Sequence, residues 1–328
     1  MRDDAFGTRD SRGYWKPHKA IGYPPVFEWP FRMRRFVAWL PSYFAPWNLF
    51  YAALAAAFWF WLTPPIEDLR TLRPDWIGWL FLRNAALVAV FYGAWHVRMY
   101  ILRAQGTAFK FNANWPDQSH KTFLFGRQTP DNMVWTFASA VPIWTAYEVL
   151  ILWAFANGHV PWLAWSENPV WFVALLVLIP MIRDIHFYAI HRLIHVEPLY
   201  RWIHSLHHRN INPGPWSGLS MHPAEHVLYF SGALLHLVLP SHPVHAVFHL
   251  LHAGLSPAQG HVGFDRVVMG ADRAMNTHSY AHYLHHRYFH CNYADGVVPL
   301  DDWMGTFHDG TDAAQAKMMA RIRHGGAG

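Results

Sequence analysis

Four long apolar stretches constrain the fold of this 328-residue chain more than any other feature of its sequence. A helix needs roughly 20 apolar residues to cross the hydrocarbon core of a bilayer, and each stretch reaches about that length. Tryptophans lie near several of the ends, as they do at the two interfaces of a membrane. The sequence therefore predicts four transmembrane helices, over residues 43–63, 76–101, 133–156 and 169–190.

The composition agrees with a membrane protein that also has a substantial aqueous part. Hydrophobic residues make up 53% of the chain and charged residues 14%, against roughly 25% charged residues in an average soluble domain. The formal charge of +5 comes with no basic stripe or known reading motif, so we expect no nucleic-acid partner. Cys291 is the only cysteine, which excludes an internal disulfide and a metal site built from several thiolates.

The distribution of Lys and Arg predicts the orientation in the membrane. Basic residues are frequent before the first stretch, between the second and third, and after the fourth, whereas residues 157–167 contain none. Because cytoplasmic loops carry an excess of Lys and Arg, we expect both termini on the cytoplasmic side. The expected organisation is a cytoplasmic N-terminal segment without a cleaved signal peptide, transmembrane helices, a histidine-rich catalytic region and a mobile C-terminal tail, over 1–42, 43–190, 183–308 and 309–328.

Polar or helix-breaking residues interrupt the apolar pattern at two places. Pro240 and Pro243 divide the apolar segment 227–255 into pieces too short to span comfortably, so we expect re-entrant or interfacial helices there. A fifth and a sixth span are the alternative. Arg83 and Glu148 fall inside predicted spans, where we expect snorkelling or a structural ion pair rather than a functional site.

Histidines are concentrated after the fourth predicted span, where His186 to His308 includes 20 of the 25 in the chain. One HxxxH box and two HxxHH boxes stand out: His191 and His195; His204, His207 and His208; His282, His285 and His286. On a helix, positions i, i+3 and i+4 share one face, so each box aims two or three imidazoles in one direction.

Eight clustered imidazoles exceed what one ordinary metal site uses. Neutral imidazole binds iron, zinc, copper and nickel. The spacing therefore predicts two metal ions that share eight to ten histidines, with one HxxHH box contributing to each side of the pair. A single HxxHH box would more often indicate a structural group of histidines, but two such boxes and an HxxxH box after four apolar stretches indicate a metal centre.

The histidine boxes resemble the fatty acid hydroxylase and sterol desaturase superfamily of membrane proteins over about residues 183–306. The superfamily pattern is HxxxH, HxxHH, an isolated His-Pro, a further histidine and a final HxxHH. The further matching elements are His222-Pro223 with Glu225, His261 in QGHVGF, Asn292-Tyr293, and the closing LDDWMGT at 300–306. Where the family has Asn-Tyr-Gly, this chain has Asn-Tyr-Ala.

The resemblance implies an all-α integral membrane oxygenase with about four transmembrane helices and a helical cap on the cytoplasmic face that carries the histidine boxes. It implies two iron ions, for which zinc can substitute in purified protein, with O2 as co-substrate and a separate electron-transfer protein as partner. The metal centre itself is the catalytic group. The implied ligands are His191, His195, His204, His207, His208, His261, His282, His285 and His286. Possible further ligands or supporting residues are His222 and His278.

Other histidines are expected to support the fold rather than the metals. On a continuous helix His278 shares the face of the last box, whereas His290 drifts off its edge. For His186 and His226 we expect structural roles. The stripe formed by His245, His249 and His252 is predicted to lie on an amphipathic helix at the membrane interface, with support of the metal site as the alternative.

The expected reaction is hydroxylation of a lipid, which is a fatty acyl, sterol-like or other isoprenoid chain. Desaturation by the same metal pair is the first alternative, because both reactions begin with hydrogen abstraction. A histidine-lined metal or proton transporter is the alternative from another class, although transporter sites normally lie near mid-membrane on broken helices. A zinc hydrolase is disfavoured, because a catalytic zinc normally has three protein ligands and an open position.

Overall fold

The computed structural model describes residues 3–324, and their regular structure is almost entirely helical, which confirms the all-α part of the predicted fold class. The helices in chain order are α1 Met33–Phe44, α2 Trp47–Leu62, α3 Pro74–Ile101, α4 Gln128–Ala156, α5 Pro169–Ile194, α6 Ser205–His208, α7 Pro223–Phe230, α8 Pro243–Gly260, α9 Tyr280–Tyr288, α10 Leu300–Trp303 and α11 Asp312–Arg323. Two short antiparallel hairpins accompany them, β1 Gly7–Arg9 with β2 Trp15–Pro17, and β3 Arg266–Val268 with β4 Ala274–Asn276.

Three helices, α3, α4 and α5, are long and apolar enough to cross a membrane, and they coincide with the last three predicted spans. The first predicted span is instead the shorter apolar helix α2. The predicted start of this span, residue 43, lies within α1. Helix α2 begins only at Trp47, because Ala45 is extended and Pro46 cannot continue a helical hydrogen-bond pattern. The bundle therefore has three full-length candidate spans and one shorter apolar helix.

Helix α8 packs against α2, α3, α4 and α5, and most of its residues are buried. The contact with α4 is close, because a Cβ on Gly254 would clash with the indole ring of Trp144. The expected amphipathic helix at the interface is therefore wrong for this segment. Pro243 begins α8 instead of interrupting it, since the first turn needs no amide donor. No helix in residues 227–255 qualifies by length and hydropathy as a fifth or sixth span.

A buried ion pair joins α3 to α4, which confirms the structural interpretation of the two charges inside the spans. Arg83 donates to Glu148, and both side chains are almost inaccessible to solvent. Asn84 donates to the second oxygen of Glu148 at 2.9 Å and to Thr145 at 3.2 Å. These hydrogen bonds satisfy the carboxylate, which is a condition for keeping such a pair in a low-dielectric interior.

The first and last described segments of the chain pack at the same end of the bundle as the histidine boxes. In the β1–β2 hairpin Trp15 packs on Phe109, which lies in the loop between α3 and α4, while Phe111 stacks on Tyr283 of α9. Helix α11 is capped by Thr311 and buries Met318. Residues 309–324 are therefore an ordered part of this end rather than the expected mobile tail, and residues 325–328 lie outside the described residues.

Candidate metal centre

The nine histidines expected to be ligands come from four separate places in the chain. His191 lies in the last turn of α5, and His195 follows the end of that helix. The second box occupies a π-helical turn and α6, and the third box occupies α9. His261 follows the last residue of α8. The site is thus assembled where α5 and the central helix α8 end, with two short helices packed over them.

The structure brings these nine side chains into two groups, and within each group the ligating nitrogens lie within 4.8 Å of one another. Eight of the nine are buried, and His195 is half-buried. The first group consists of His191, His195, His204, His208 and His285. The second consists of His207, His261, His282 and His286.

Each HxxHH box is divided between the two groups, so the expectation of one box for each side is wrong. Residues at i and i+4 stay together, as His204 and His208 do in the first group and His282 and His286 do in the second. The i+3 histidines cross over, since His207 joins the second group and His285 the first. The middle imidazole points to a different side because i+3 and i+4 are separated by about 100° around the helix.

The spacing of the ring nitrogens fits metal coordination. Nε2 to Nε2 distances are 3.1 Å for His191 and His204, and 3.0 Å for His285 and His208. In the second group they run from 2.9 to 3.3 Å. Two nitrogens each about 2.0–2.1 Å from one ion are separated by about 3 Å. These distances therefore suit one ion in each group.

The hydrogen bonds of the other ring nitrogens test whether these contacts can be ordinary hydrogen bonds. Nδ1 of His207 donates to the carbonyl of Ser220 at 3.2 Å, and Nδ1 of His261 donates to that of Pro257 at 2.9 Å. A carbonyl only accepts, so each neutral ring carries its lone pair on Nε2. These two Nε2 atoms face each other at 3.3 Å with no proton between them. A cation between them removes the conflict, and the donor set is one that iron and zinc accept.

His191 and His285 of the first group repeat this arrangement. Their Nδ1 atoms donate to the carbonyls of Tyr293 and Cys291, both at 2.7 Å. Burial lowers the pKa of His207 to about 4 and the pKa of His285 well below its usual value, so these rings are neutral near pH 7. Neutral imidazole is the metal-binding form.

Glu225 orients one ligand through a buried hydrogen bond. Its Oε1 lies 2.8 Å from Nδ1 of His204, which leaves Nε2 of that ring for the first group. A carboxylate behind a metal-ligating histidine fixes the ring orientation and increases the basicity of the ligand. The sequence pattern placed Glu225 after the His-Pro element but did not assign this role.

Two further carboxylates hold the loop that supplies backbone acceptors to the site. Asp301 accepts from the amides of Tyr293 and Ala294, at 2.9 and 2.8 Å. Asp184 accepts from the amides of Asp295 and Val298, each at 2.7 Å. The loop in turn presents the Tyr293 carbonyl to His191. Asp301 lies in the LDDWMGT element, whereas nothing in the sequence pattern singled out Asp184.

The two possible further ligands lie outside both groups. His222 caps the start of α7, where its Nδ1 accepts from the amide of Ala224 at 3.2 Å. His278 is exposed and precedes α9, with a positive φ of 55°. The continuous helix assumed from residue 278 is therefore wrong, because Asn276 accepts from the amide of His278 and forms a turn there. His290 also lies off α9, beyond the left-handed residue Phe289.

The remaining buried and half-buried histidines discussed above have hydrogen-bond partners away from the metal groups. His226 pairs with Ser139 at 2.9 Å and His186 with Ser231 at 3.0 Å. In the α8 stripe, His245 contacts the backbone carbonyl of Phe172, and His249 contacts the ring of His236. His252 accepts a hydrogen bond from Arg183. Among the described residues, none of these side chains joins either metal group.

A cavity of about 170 Å³ reaches the metal groups from within the bundle. Apolar and aromatic side chains of α2 and α5, including Trp47, Tyr51 and Phe187, form part of its wall. The same cavity is lined by His191, His204, His207, His261 and His282. A space of this kind admits an apolar chain to the imidazoles and keeps bulk water away from them.

The bundle and its two histidine groups define a membrane protein with a candidate dinuclear metal centre. Residues 176–306 match the fatty acid hydroxylase family model, and this range includes all nine histidines. Over these residues the chain is therefore similar to the fatty acid hydroxylase and sterol desaturase superfamily. Its three long apolar helices support an integral membrane protein.

Similar proteins include sterol-modifying enzymes. A Delta(7)-sterol 5(6)-desaturase of Gibberella zeae is 28% identical over 42% of this chain and 42% of its own length. A methylsterol monooxygenase of Aspergillus fumigatus is 32% identical over 40% of this chain and 46% of its own length. Methylsterol monooxygenase 1 of Gallus gallus is 31% identical over 23% of this chain and 26% of its own length. The chain spans less than half the length of these relatives, and no solved structure matches it significantly.

Proposed function

We propose that this chain is a membrane-bound di-iron oxygenase that hydroxylates a lipid, with O2 as co-substrate and electrons from a separate protein donor. The observation that carries the proposal is the convergence of nine imidazoles into two adjacent groups at the end of a cavity inside the bundle. Two iron ions held there would supply the redox chemistry that oxidises an unactivated C–H bond. Hydroxylation consumes one O2, two electrons and two protons, and yields the alcohol and water.

The protein's own residues orient the centre and exclude water. Backbone carbonyls and Glu225 direct the Nδ1 hydrogens of the ligands outward, so that the Nε2 lone pairs point inward. Apolar side chains such as Trp47 and Phe187 guide a hydrocarbon chain toward His191 and His207. The substrate is a fatty acyl, sterol-like or other isoprenoid chain, in keeping with the sterol-acting relatives.

Desaturation of the same lipid is the second candidate, because one similar protein is named as a desaturase and others as monooxygenases. Labelling with ¹⁸O2 separates the two reactions. Hydroxylation places one ¹⁸O atom in a C–O bond of the product, whereas desaturation gives a product that is two hydrogens poorer and unlabelled. An unlabelled desaturated product would replace the first proposal with the second.

A metal count tests the dinuclear centre independently of turnover. After anaerobic iron loading, the purified chain should hold about two metal ions, and zinc should compete for the same positions. A count well below two would contradict the dinuclear proposal. The histidines gather where α5 ends, which disfavours a mid-membrane transport site. The first group has five histidines and the second has four, which disfavours a single hydrolytic zinc ion, since such an ion normally has three protein ligands.

We also propose that both termini and the histidine groups face the cytoplasm. The absence of Lys and Arg from residues 157–167 supports this orientation, and so does the packing of the N-terminal hairpin at the histidine end. Single cysteines at the exposed positions Lys19 and Ser166 would test it. In sealed right-side-out vesicles, an impermeant maleimide should label Ser166→Cys and spare Lys19→Cys. The reverse labelling pattern would contradict the orientation.

A further inference from the structure

The cavity wall carries a charged pair that does not belong to either metal group. Arg183 lies on α5, two turns before His191, and its Nη1 donates to Oδ2 of Asp295 at 2.7 Å. Its Nε donates to His252 at 2.9 Å and its Nη2 to Ser256 at 2.7 Å. Arg183, Asp295, His252 and Ser256 all line the cavity. The pair is thus the charged Arg–Asp contact in a wall that also contains apolar and aromatic side chains, histidines and Glu225.

The hydrogen bonds of this pair leave one donor and one acceptor unused. A guanidinium has five N–H donors, and those of Arg183 supply one bond to His252, one to Ser256 and two to Asp295. One N–H on Nη1 remains. Asp295 receives both of its bonds on Oδ2, so that Oδ1 has no partner in the described part of the chain.

One donor beside one acceptor is the complement of a hydroxyl group, which both accepts and donates. A carboxylate only accepts, and it would face the negative charge of Asp295. Arg183 is the one Arg or Lys among the cavity-lining residues, and Asp295 already neutralises it. A free fatty acid would therefore find no unpaired cation on this wall, whereas an alcohol would find both of its hydrogen-bond partners.

We propose that the Arg183–Asp295 pair binds the hydroxyl group of a neutral lipid alcohol and is the specificity-determining element of the cavity. This inference rests on the proposed lipid oxidation and names the polar group of its substrate. Arg183 and His191 are eight residues apart, which corresponds to about 12 Å along a helix axis. The hydroxyl that the pair binds and the carbon that is oxidised are therefore different parts of the lipid.

Equilibrium binding to the metal-loaded full chain in detergent tests the pair without requiring turnover. The radiolabelled probes are cholestanol, its 3-ketone cholestanone, hexadecanol and palmitic acid. The wild-type chain should bind cholestanol more tightly than cholestanone, and hexadecanol more tightly than palmitic acid, each by about 10-fold or more, because hydrogen bonds to charged groups are the stronger ones.

The variant Asp295→Asn keeps an oxygen for Arg183 but replaces the free acceptor by an N–H donor. Asp295→Asn should weaken cholestanol binding by about 10- to 100-fold. It should also abolish or reverse the preference for cholestanol over cholestanone, because a ketone only accepts hydrogen bonds. The matched control is Asp302→Asn, at an exposed acid outside the cavity lining, which should change neither affinity. Metal content and thermal stability are measured on both variants.

Three outcomes would overturn the inference or its basis. An unchanged alcohol-to-ketone ratio in Asp295→Asn, with metal content retained, rules out the pair as the hydroxyl site. Tighter binding of palmitic acid than of hexadecanol by the wild-type chain also rules out the pair as the hydroxyl site. That measurement does not depend on whether a variant folds. Binding of none of the four lipids by the wild-type chain contradicts the proposed function itself rather than the role of the pair.

Discussion

Two sets of buried histidines in this chain differ in the contact partners of their ring nitrogens. His207 and His285 belong to the metal groups, whereas His226 and His249 do not, yet all four are at most 2% exposed. In the first set one nitrogen donates to a carbonyl and the other faces further imidazoles. The second set, which together with His236 is called the hydrogen-bonded set, makes ordinary hydrogen bonds. Nδ1 of His226 contacts Ser139 and its Nε2 contacts the Leu219 carbonyl, while Nδ1 of His249 contacts Nε2 of His236. Burial therefore does not separate ligands from structural histidines, but the number of imidazole nitrogens gathered around the second ring nitrogen does.

The largest expected effect comes from removing one histidine of each set. His285→Ala should lower the metal count from about two to about one or less and abolish turnover, because it removes a ligand from the first group. His249→Ala should keep about two metals per folded chain and lose only stability. Metal analysis of the folded fraction of each variant makes the measurement. Loss of turnover in His285→Ala with both metals retained would assign that imidazole an orienting or acid–base role instead.

A smaller effect is expected where a ligand is changed only through its partner. Glu225→Gln should lower metal affinity or activity by roughly 10- to 100-fold, as is usual when the hydrogen-bond partner of a ligating histidine is weakened. Competition with a chelator at several concentrations measures the affinity. Glu167→Gln, at an exposed acid in the loop before α5, is the control and should match the wild type. Equal affinities for all three proteins would remove Glu225 from the centre.

The hydrogen-bonded set should make stability depend on pH. Burial lowers the pKa of His226 and of His236 to about 3, against about 6.5 in an unfolded chain. Between pH 6.5 and 3 the unfolded state binds more protons, so stability falls as pH falls, by up to about 1.4 kcal/mol per pH unit for each group. Thermal unfolding from pH 7 to 5 measures the slope. His236→Gln should show a smaller slope than the wild type, and an identical slope would exclude His236 as a contributor.

The smallest effect is expected from removing a single partner in the hydrogen-bonded set. Ser139→Ala deletes the hydroxyl that bonds to His226 and should cost about 1–3 kcal/mol of stability, because it leaves a buried ring nitrogen unpaired. The metal count should stay at about two. Chemical unfolding and metal analysis of the same preparation measure both. A lowered metal count in Ser139→Ala would remove the distinction between the two sets.

The sequence predicted the features that depend on local spacing. The full-length candidate spans follow from uninterrupted apolar length, and the boxes follow from the i, i+3 and i+4 positions of a helix. The division of each box between two groups was not predictable, because it depends on which helices pack against α6 and α9. The burial of α8 was missed because His245 and His249 look solvent-facing in sequence, whereas their partners come from other segments.

The cavity pair illustrates the same limit. Arg183 and Asp295 are 112 residues apart in the chain and become neighbours because the loop after α9 runs back along α5. No periodic pattern marks either residue. Pairings of this kind require the tertiary structure, whereas clusters of closely spaced ligands do not.

Because each HxxHH box contributes ligands to both metal groups, an insertion or deletion within a box affects both groups together. One residue inserted between His282 and His285 would rotate His285 and His286 by about 100° relative to His282. His285 would then leave the first group and His286 the second, so both sites would be damaged at once. A length change within this box therefore cannot convert the dinuclear centre into an intact mononuclear one. Within this box, only a substitution at a single histidine can affect one group alone.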